Sequence, residues 1–299
     1  MTFIQRSPTY AGASPVIERL RPYLTADEVR RILAEAGSSR QQINLNNVTA
    51  FSRACDLAAF NGLSLRSETP VPKRILQYWD RRDIPPDVAT CMATWRIPGF
   101  EYVLFDEEQA REFLKTDFDH RHLEAYDLCN HPAMKSDLFR MAYLHRYGGI
   151  FVDSDDSYRG AGLENLVQDG LFRLRTIGWR ELPAQSAVPT QLVPVASDRT
   201  AFNNNPIFCM AGDEILLKAL DRATGILRAL GPQRIYHQFV KFTGPTNLSL
   251  AVYATALDCI VNGREFYFSP IIGWDDIAAK NTELAYQKTD RNWRVYIRS

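Results

Sequence analysis

The residues most able to do chemistry lie in one stretch, Ser136-Asp137-Leu138-Phe139-Arg140 followed by Asp153-Ser154-Asp155-Asp156. On an extended strand, alternate side chains project to the same side, so Asp153 and Asp155 can face one ligand. Two hard oxygen donors with room left for water suit Mg²⁺ or Mn²⁺, which in turn bridges phosphate oxygens. A cation held there acts as a Lewis acid on a departing phosphate group. Asp137 and Arg140 are three apart and share one face of a helix. The D-x-D triplet by itself says little. Asp117-Phe118-Asp119 matches it too, and its place between two helices reads as capping.

The setting sets the Asp153 triplet apart. A helix predicted over 132–147 runs into Gly148-Gly149, and an apolar strand from Ile150 to Asp153 follows. The carboxylates fall at the C-terminal end of that strand, where α/β folds gather their sites. Upstream, Arg74 to Trp79 reads as a strand, Pro85-Pro86 opens a helix to Arg96, and Pro98-Gly99 turns into the strand Tyr102 to Phe105. Asp106 and Gln109 then form a capping box for the next helix. Strands alternating with helices in this way predict an α/β fold with a largely parallel sheet. Downstream, strands are expected near Leu171 to Thr176, Gln191 to Val195, Ile207 to Met210 and Glu265 to Ser269, with helices over 213–229 and 245–260.

Residues 1–70 read as helical. Thr25 and Glu28 form a capping box and Gly37 a stop, and a second helix runs from about Asn46 or Asn47 to Asn61-Gly62. The stretch from Arg66 to Lys73, with Pro70 and Pro72, is a boundary loop. The expected organisation is a helical N-terminal extension, 1–70, and a catalytic domain, 71–299.

The chain's 35 basic and 35 acidic side chains cancel, so no bulk field draws a polyanion and nucleic acid is not an expected partner. The five cysteines show no C-x-x-C spacing, which predicts free thiols in a reducing cytoplasm. The first twenty residues contain no apolar stretch, so no secretory signal is expected. No run of about eighteen apolar residues occurs, which predicts no membrane span. A membrane-linked acceptor would be reached peripherally, and export as an effector without a cleaved signal is also compatible.

With these residues in view, Ser136-Asp137-x-x-Arg140, Leu144, Gly148-Gly149-Ile150 and Asp153-x-Asp155 resemble the D-x-D region of glycosyltransferase family 32. That group includes the yeast initiating α-mannosyltransferase and bacterial polysaccharide enzymes, and the same region is similar in clostridial glucosylating toxins. Val71-Pro72-Lys73-Arg74-Ile75-Leu76-Gln77-Tyr78-Trp79 resembles the family's opening P-K-x-I-x-Q-x-W strand. Thr243-Gly244-Pro245 and the Asn203-Asn204-Asn205 run ahead of Ile207 are similar to two later segments. The resemblance spans about 71–260. It implies a GT-A-type, Rossmann-like nucleotide-binding fold, a divalent cation (Mn²⁺ or Mg²⁺), and retention of configuration. The donor would be a nucleotide-diphosphate sugar carrying a hexose or N-acetylhexosamine, with UDP favoured and GDP-mannose allowed. The acceptor would be a glycan or a protein side chain.

The resemblance also assigns roles. Asp137, Arg140 and Asp153 form the catalytic set, with Asp137 and Arg140 on sugar hydroxyls, Arg140 also near the diphosphate, and Asp153 on ribose or sugar. Asp153 and Asp155 hold the metal. Trp79 stacks on the base with Gln77 and Leu76 beside it, and Ser136, Ser154, Asn204 and Asn205 complete the nucleotide-sugar site. Two departures stand out. Phe151 replaces a frequent Tyr, and the C-terminal stretch Tyr286 to Trp293 lacks histidine, leaving Lys288 or Arg291 to neutralise diphosphate. No covalent nucleophile is evident, so front-face transfer is expected, with donor phosphate helping to deprotonate the acceptor.

Two other readings stay open on the residues alone. A haloacid-dehalogenase-type phosphohydrolase would use Asp153 as nucleophile in D-x-D-x-[TV], although Ser157 breaks that pattern and Asp137 with Arg140 would have no task. An inactive sugar-nucleotide-binding protein would keep the pocket without turnover.

Overall fold

The computed structural model describes residues 14–38, 43–63, 65, 67, 69–177, 179–180, 193–194, 201–231 and 239–296. Three helices come first: α1 (Pro15–Leu20), α2 (Ala26–Ala36) and α3 (Leu45–Phe60). The Thr25–Glu28 capping box starts α2 as expected, and Asn44 caps α3 just ahead of the predicted start. The first α/β unit follows: β1 (Arg74–Tyr78), α4 (Pro86–Ala93), β2 (Glu101–Phe105), α5 (Glu107–Asp117), α6 (His120–Leu128), α7 (Pro132–Tyr147) and β3 (Gly149–Phe151). Asp106 and Gln109 cap α5 reciprocally, and Asp119 caps α6, so the second D-x-D triplet is spent on helix ends. The rest comprises β4 (Asp156–Tyr158), α8 (Leu163–Val167), β5 (Phe172–Ile177), β6 (Trp179–Arg180), β7 (Val193–Pro194), β8 (Ala201–Cys209), α9 (Glu214–Leu230), α10 (Phe239–Phe242), α11 (Pro245–Asn262), β9 (Phe268–Ile271), α12 (Trp274–Ile277), β10 (Ala278–Lys280) and α13 (Trp293–Tyr296).

Six strands form the central sheet in the order β2-β1-β3-β8-β5-β9. Five run in one direction, and β8 runs antiparallel to both of its neighbours, so the sheet is mixed. Of the strand expected near 191–195, residues 193–194 pair with β6, and 191, 192 and 195 lie outside the described residues. Helix α4 stops at Ala93, short of the expected Arg96. The Thr94 hydroxyl there donates back to the Cys91 carbonyl at 2.6 Å and accepts the Tyr158 amide of β4 at 2.8 Å. The strand carrying the site also ends early, at Phe151, because the chain turns once it passes Val152.

Alternation sorts the strands onto two cores. Leu76, Phe151 and Ile207 face one cluster with Phe139, Tyr253 and Leu248. Ile75, Ile150 and Phe208 face the other, with Trp95, Trp274 and Ile277. Helices α1 to α3 send Val16, Ile17, Leu20, Ile32 and Phe51 into the first cluster, and Phe51 meets Tyr253 of α11 edge-on at 5.4 Å. A boundary at residue 70 would divide one core. The five cysteines are all buried and unbridged. Among the described residues, no helix is long and apolar enough to cross a membrane.

The reversal between α7 and β3 requires glycine. Gly148 has φ 66° and Gly149 φ 114°. A Cβ on Gly149 would sit 2.7 Å from the Arg74 carbonyl oxygen of β1, and one on Gly148 would sit 2.6 Å from the Ala211 amide. Both clashes are with backbone, which cannot swing aside.

Two expectations follow. Gly149→Ala should lower stability by at least about 1–3 kcal/mol, from strained φ and backbone overlap, read as a fall in urea midpoint with an unchanged m-value. The second concerns Asp56, which is buried on α3. It accepts a hydrogen bond from the Thr176 hydroxyl, has an unpartnered second oxygen, and burial pushes its carboxyl up to about 7. A carboxyl that holds its proton more tightly folded than unfolded loses stability as pH rises from its ordinary value toward 7. Asp56→Asn should therefore gain roughly 1–3 kcal/mol relative to wild type between pH 5 and pH 8, measured by urea unfolding at both.

Candidate active site

Helix rise and strand rise explain why Asp137 and Arg140 meet the acidic turn. From Asp137 to Gly148 the helix descends about 16 Å. From Gly148 to Asp153 the extended chain climbs back about the same distance. The two segments pack side by side, so both groups stand level at the C-terminal end of β1 and β3. Strand β8, antiparallel to β3 with Phe151 opposite Ile207, brings Asn203, Asn204 and Asn205 to that same end.

There a pocket of about 490 Å³ opens. Ser136, Asp137, Arg140, Asp153, Ser154 and Asp155 line it, with Trp79 and Asn204. The acidic residues face it by a different route from the one expected. Strand alternation does not apply past Phe151. Instead 153–156 make a turn closed by the Asp156 amide on the Asp153 carbonyl, 3.2 Å. The turn is held by backbone contacts from distant side chains. The Asn205 amide oxygen accepts from the Asp153 N–H at 2.9 Å, Gln77 donates to the Asp153 carbonyl at 3.2 Å, and Asn281 donates to the Asp155 carbonyl at 2.8 Å. The Ser154 hydroxyl donates to the Tyr78 carbonyl at 2.9 Å.

Arg140 is buried at the centre. Its guanidinium lies over the Phe151 ring at 3.8 Å and pairs with Asp137 and Asp153, each at 3.3 Å. It also donates to the Asn204 carbonyl at 2.7 Å and the Ser136 hydroxyl at 3.0 Å. With side chains 6% and 10% exposed, Arg140 and Asp137 are a buried pair and not a surface one. Phe151 is 1% exposed and serves as the platform under the guanidinium; a hydroxyl at that position is not needed for this stacking. Asp137 accepts from Asn204 at 2.7 Å and from the Thr243 hydroxyl at 2.9 Å. Burial raises its carboxyl to about 6 against the pull of Arg140.

Asp155 accepts from the Gln287 amide at 2.9 Å. Burial and the neighbouring Asp153 charge push its pKa up, while Lys280 acts the other way. Asp156 is turned inward, accepting from Asn205 at 2.8 Å, and burial first, then Asp153 and Asp155, raise it to about 7. Among the described residues no three His, Cys, Asp or Glu side chains gather as a metal cluster. Asp153 and Asp155 bring two neighbouring carboxylates of the turn to the pocket, a donor set that fits a Mg²⁺- or Mn²⁺-type ion that keeps waters and takes substrate phosphate.

Three assignments need correction. Leu76 and Gln77 do not line the pocket: both are fully buried, and Gln77 spans the interior between Asp153 and the Tyr102 hydroxyl. Asn205 also lies behind it, scaffolding the turn. Trp79 does line the pocket, but it is only 7% exposed. Arg291 lies over its ring at 5.0 Å and Tyr286 meets its edge at 5.2 Å, so a base stacking on the face that Arg291 covers would have to displace it. Of the two cations proposed for diphosphate, Arg291 lines the pocket, paired with Asp80, and Lys288 does not.

The sequence reading missed Asp80, Lys280, Tyr286 and Gln287, all of which line the pocket. The C-terminal segment carrying the last three is pinned over the site by His131, the N-cap of α7. Its Nδ1 accepts from the Ala133 amide at 3.0 Å, so Nε2 carries the proton and donates to the Asp290 carbonyl at 3.1 Å. No local motif announces such contacts; only Gln287 and Arg291, close to the expected histidine stretch, gave a hint.

Residues 85–165 match the family model described as a glycosyltransferase sugar-binding region containing a DXD motif. The chain is similar to that family over this segment. The segment contains Asp137, Arg140, Asp153 and Asp155 and excludes Trp79, the Asn203–Asn205 run and Gln287. Inositol phosphoceramide mannosyltransferase 3 of Schizosaccharomyces pombe is 35% identical over 87 residues, 28% of this chain and 24% of that protein. Mannosyl phosphorylinositol ceramide synthase SUR1 of Saccharomyces cerevisiae is 30% identical over 90 residues, 29% and 23% of the two chains. The chain thus matches about a quarter of the length of these curated relatives. A solved structure described as PaToxG glycosyltransferase aligns over 84% of this chain and 96% of its own, with 18% identity and a TM-score of 0.45.

Removing one partner of a buried pair leaves the other charge stranded. Arg140→Ala is expected to cost about 3–5 kcal/mol of stability, against at most about 1 for a surface pair. Arg140→Lys should recover only part of this, because one ammonium cannot span Asp137, Asp153 and the Asn204 carbonyl while lying flat on Phe151. Urea unfolding of both variants checks it.

Proposed function

We propose that this chain is a metal-dependent glycosyltransferase whose donor is a nucleotide-diphosphate sugar bound in the pocket between α7 and the 153–156 turn. One observation carries the reading: within the segment matched by the DXD sugar-binding family, Asp137 and Arg140 of α7 and Asp153 and Asp155 of the turn line the same cavity. A phosphohydrolase using Asp153 as nucleophile finds no support in an arrangement that ties this carboxylate to Arg140.

The pocket's charge suits a diphosphate only with a cation's help. Asp80, Asp137, Asp153 and Asp155 are balanced by Lys280, Arg140, Arg291 and Arg294. Asp153 and Asp155 would hold a divalent ion, which when bound supplies Lewis-acid neutralisation of the leaving diphosphate. The chain's own residues do the positioning. Each Asp137 oxygen already accepts one internal hydrogen bond and retains capacity for a sugar hydroxyl. Arg140 fixes Asp137 and Asp153 relative to each other, so the sugar would meet a prearranged set of acceptors. Retention and front-face transfer remain the mechanistic reading, since among the described residues the carboxylates and serine hydroxyls lining the pocket are each already engaged. The fungal relatives are named as an inositol phosphoceramide mannosyltransferase and a mannosyl phosphorylinositol ceramide synthase. GDP-mannose therefore belongs beside UDP-hexoses and UDP-N-acetylhexosamines among the first donors to try, with glycan, lipid-linked and protein acceptors.

The test is a panel of UDP- and GDP-sugars with Mn²⁺ or Mg²⁺, read by released nucleotide. One donor should turn over, and excess chelator should abolish it. Asp155→Asn should lose roughly a hundredfold or more in kcat/KM, the scale of metal-assisted charge neutralisation. Full turnover in chelator, or an Asp155→Asn enzyme as active as wild type, would overturn the metal-assisted reading.

A further inference from the structure

We propose that Lys280 is the side chain that receives the donor's diphosphate, an assignment that rests on the donor reading above. Among the described residues, four cationic side chains line the pocket, and three are committed. Arg140 is shared between Asp137 and Asp153. Arg291 is paired with Asp80 and lies against Trp79. Arg294 is engaged within the chain. Among the described residues, the Lys280 ammonium alone of the four forms no ion pair and no side-chain hydrogen bond, and it stands exposed at the pocket wall.

Its backbone places it with care. Lys280 ends β10, which pairs antiparallel with β4 so that Lys280 lies opposite Asp156. The next residue, Asn281, donates to the Asp155 carbonyl from both its amide N–H, at 3.1 Å, and its side chain, at 2.8 Å. The lysine is therefore tethered to the same turn that presents Asp153 and Asp155, beside the place where a phosphate-bridging ion would sit. Recruiting Arg140 or Arg291 to a phosphate would break an existing pair and leave a carboxylate without its partner. Recruiting Lys280 breaks no ion pair or side-chain hydrogen bond, its charge acting on Asp155 and Asp156 only through space. An ammonium on a flexible stem also follows a leaving diphosphate as a point charge, without the fixed fork of arginine. In this position it would neutralise phosphate charge that the two carboxylates and their ion leave uncompensated.

Equilibrium binding separates this from the donor reading. UDP, GDP, uridine and guanosine would be titrated into wild type, Lys280→Met and Lys280→Arg, each with Mg²⁺ and with excess chelator, thermal unfolding serving as a folding control. Wild type should bind one of the two diphosphates. Lys280→Met should weaken that diphosphate about tenfold or more in both conditions, leave the matching nucleoside unchanged, and be largely rescued by Lys280→Arg. Wild-type diphosphate affinity in Lys280→Met, an equal loss for the nucleoside, or no rescue by arginine would overturn the assignment while leaving the donor reading intact. Failure of wild type to bind either diphosphate would overturn both.

Discussion

A buried guanidinium organises this end of the molecule. Arg140 carries a full charge into a site where it is 5% exposed, which is tolerable only because every direction around it is answered. The Phe151 face lies beneath it, Asp137 and Asp153 flank it, and the Asn204 carbonyl and Ser136 hydroxyl take further donors. These partners come from α7, β3, β8 and the turn after β3. Satisfying one side chain thus fixes the relative placement of four pieces of chain.

The acidic turn depends on that placement and has its own scaffold. Three carboxylates close together repel and are costly to bury, as the upward displacement of Asp155 and Asp156 records. The chain meets this cost largely through the backbone. Asn205, Gln77, Ser154 and Asn281 fasten the turn by its amides, carbonyls and neighbouring strand ends. Asp156 is turned inward onto Asn205. The outcome is a turn whose shape is set from behind, leaving Asp153 and Asp155 to the pocket. The C-terminal segment then closes the other side, with Gln287 on Asp155 and Arg291 over Trp79.

Much of this was legible in the sequence where the signal is local. The capping boxes at Thr25 and Asp106, the helix over Pro132–Tyr147 and the double glycine after it depend on residues within a few positions of one another, and the structure forms all of them. The approach of Asp137 and Arg140 to Asp153 was also accessible, because a helix descending and a strand climbing through equal distances leave little choice. Asp117-Phe118-Asp119 was separable from the functional triplet for the same reason: its carboxylates sit where helices begin and end.

Tertiary structure decided what no short window contains. Leu76 and Gln77 belong to a strand whose C-terminal end opens on the pocket, yet only the sheet's burial on both faces shows that Trp79 reaches it and they do not. The antiparallel direction of β8 determined that Asn205 would scaffold the turn while Asn204 faces the pocket, although the two are adjacent in the chain. Lys280 and Gln287, more than a hundred residues beyond Asp155, carry no motif that marks them. The sequence alone determined the helices, the reversal and the acidic cluster, because capping, glycine conformation and periodicity act between neighbours. Which side chains meet in the cavity was decided by long-range packing and by the need to pair buried charges, and those are properties of the folded chain.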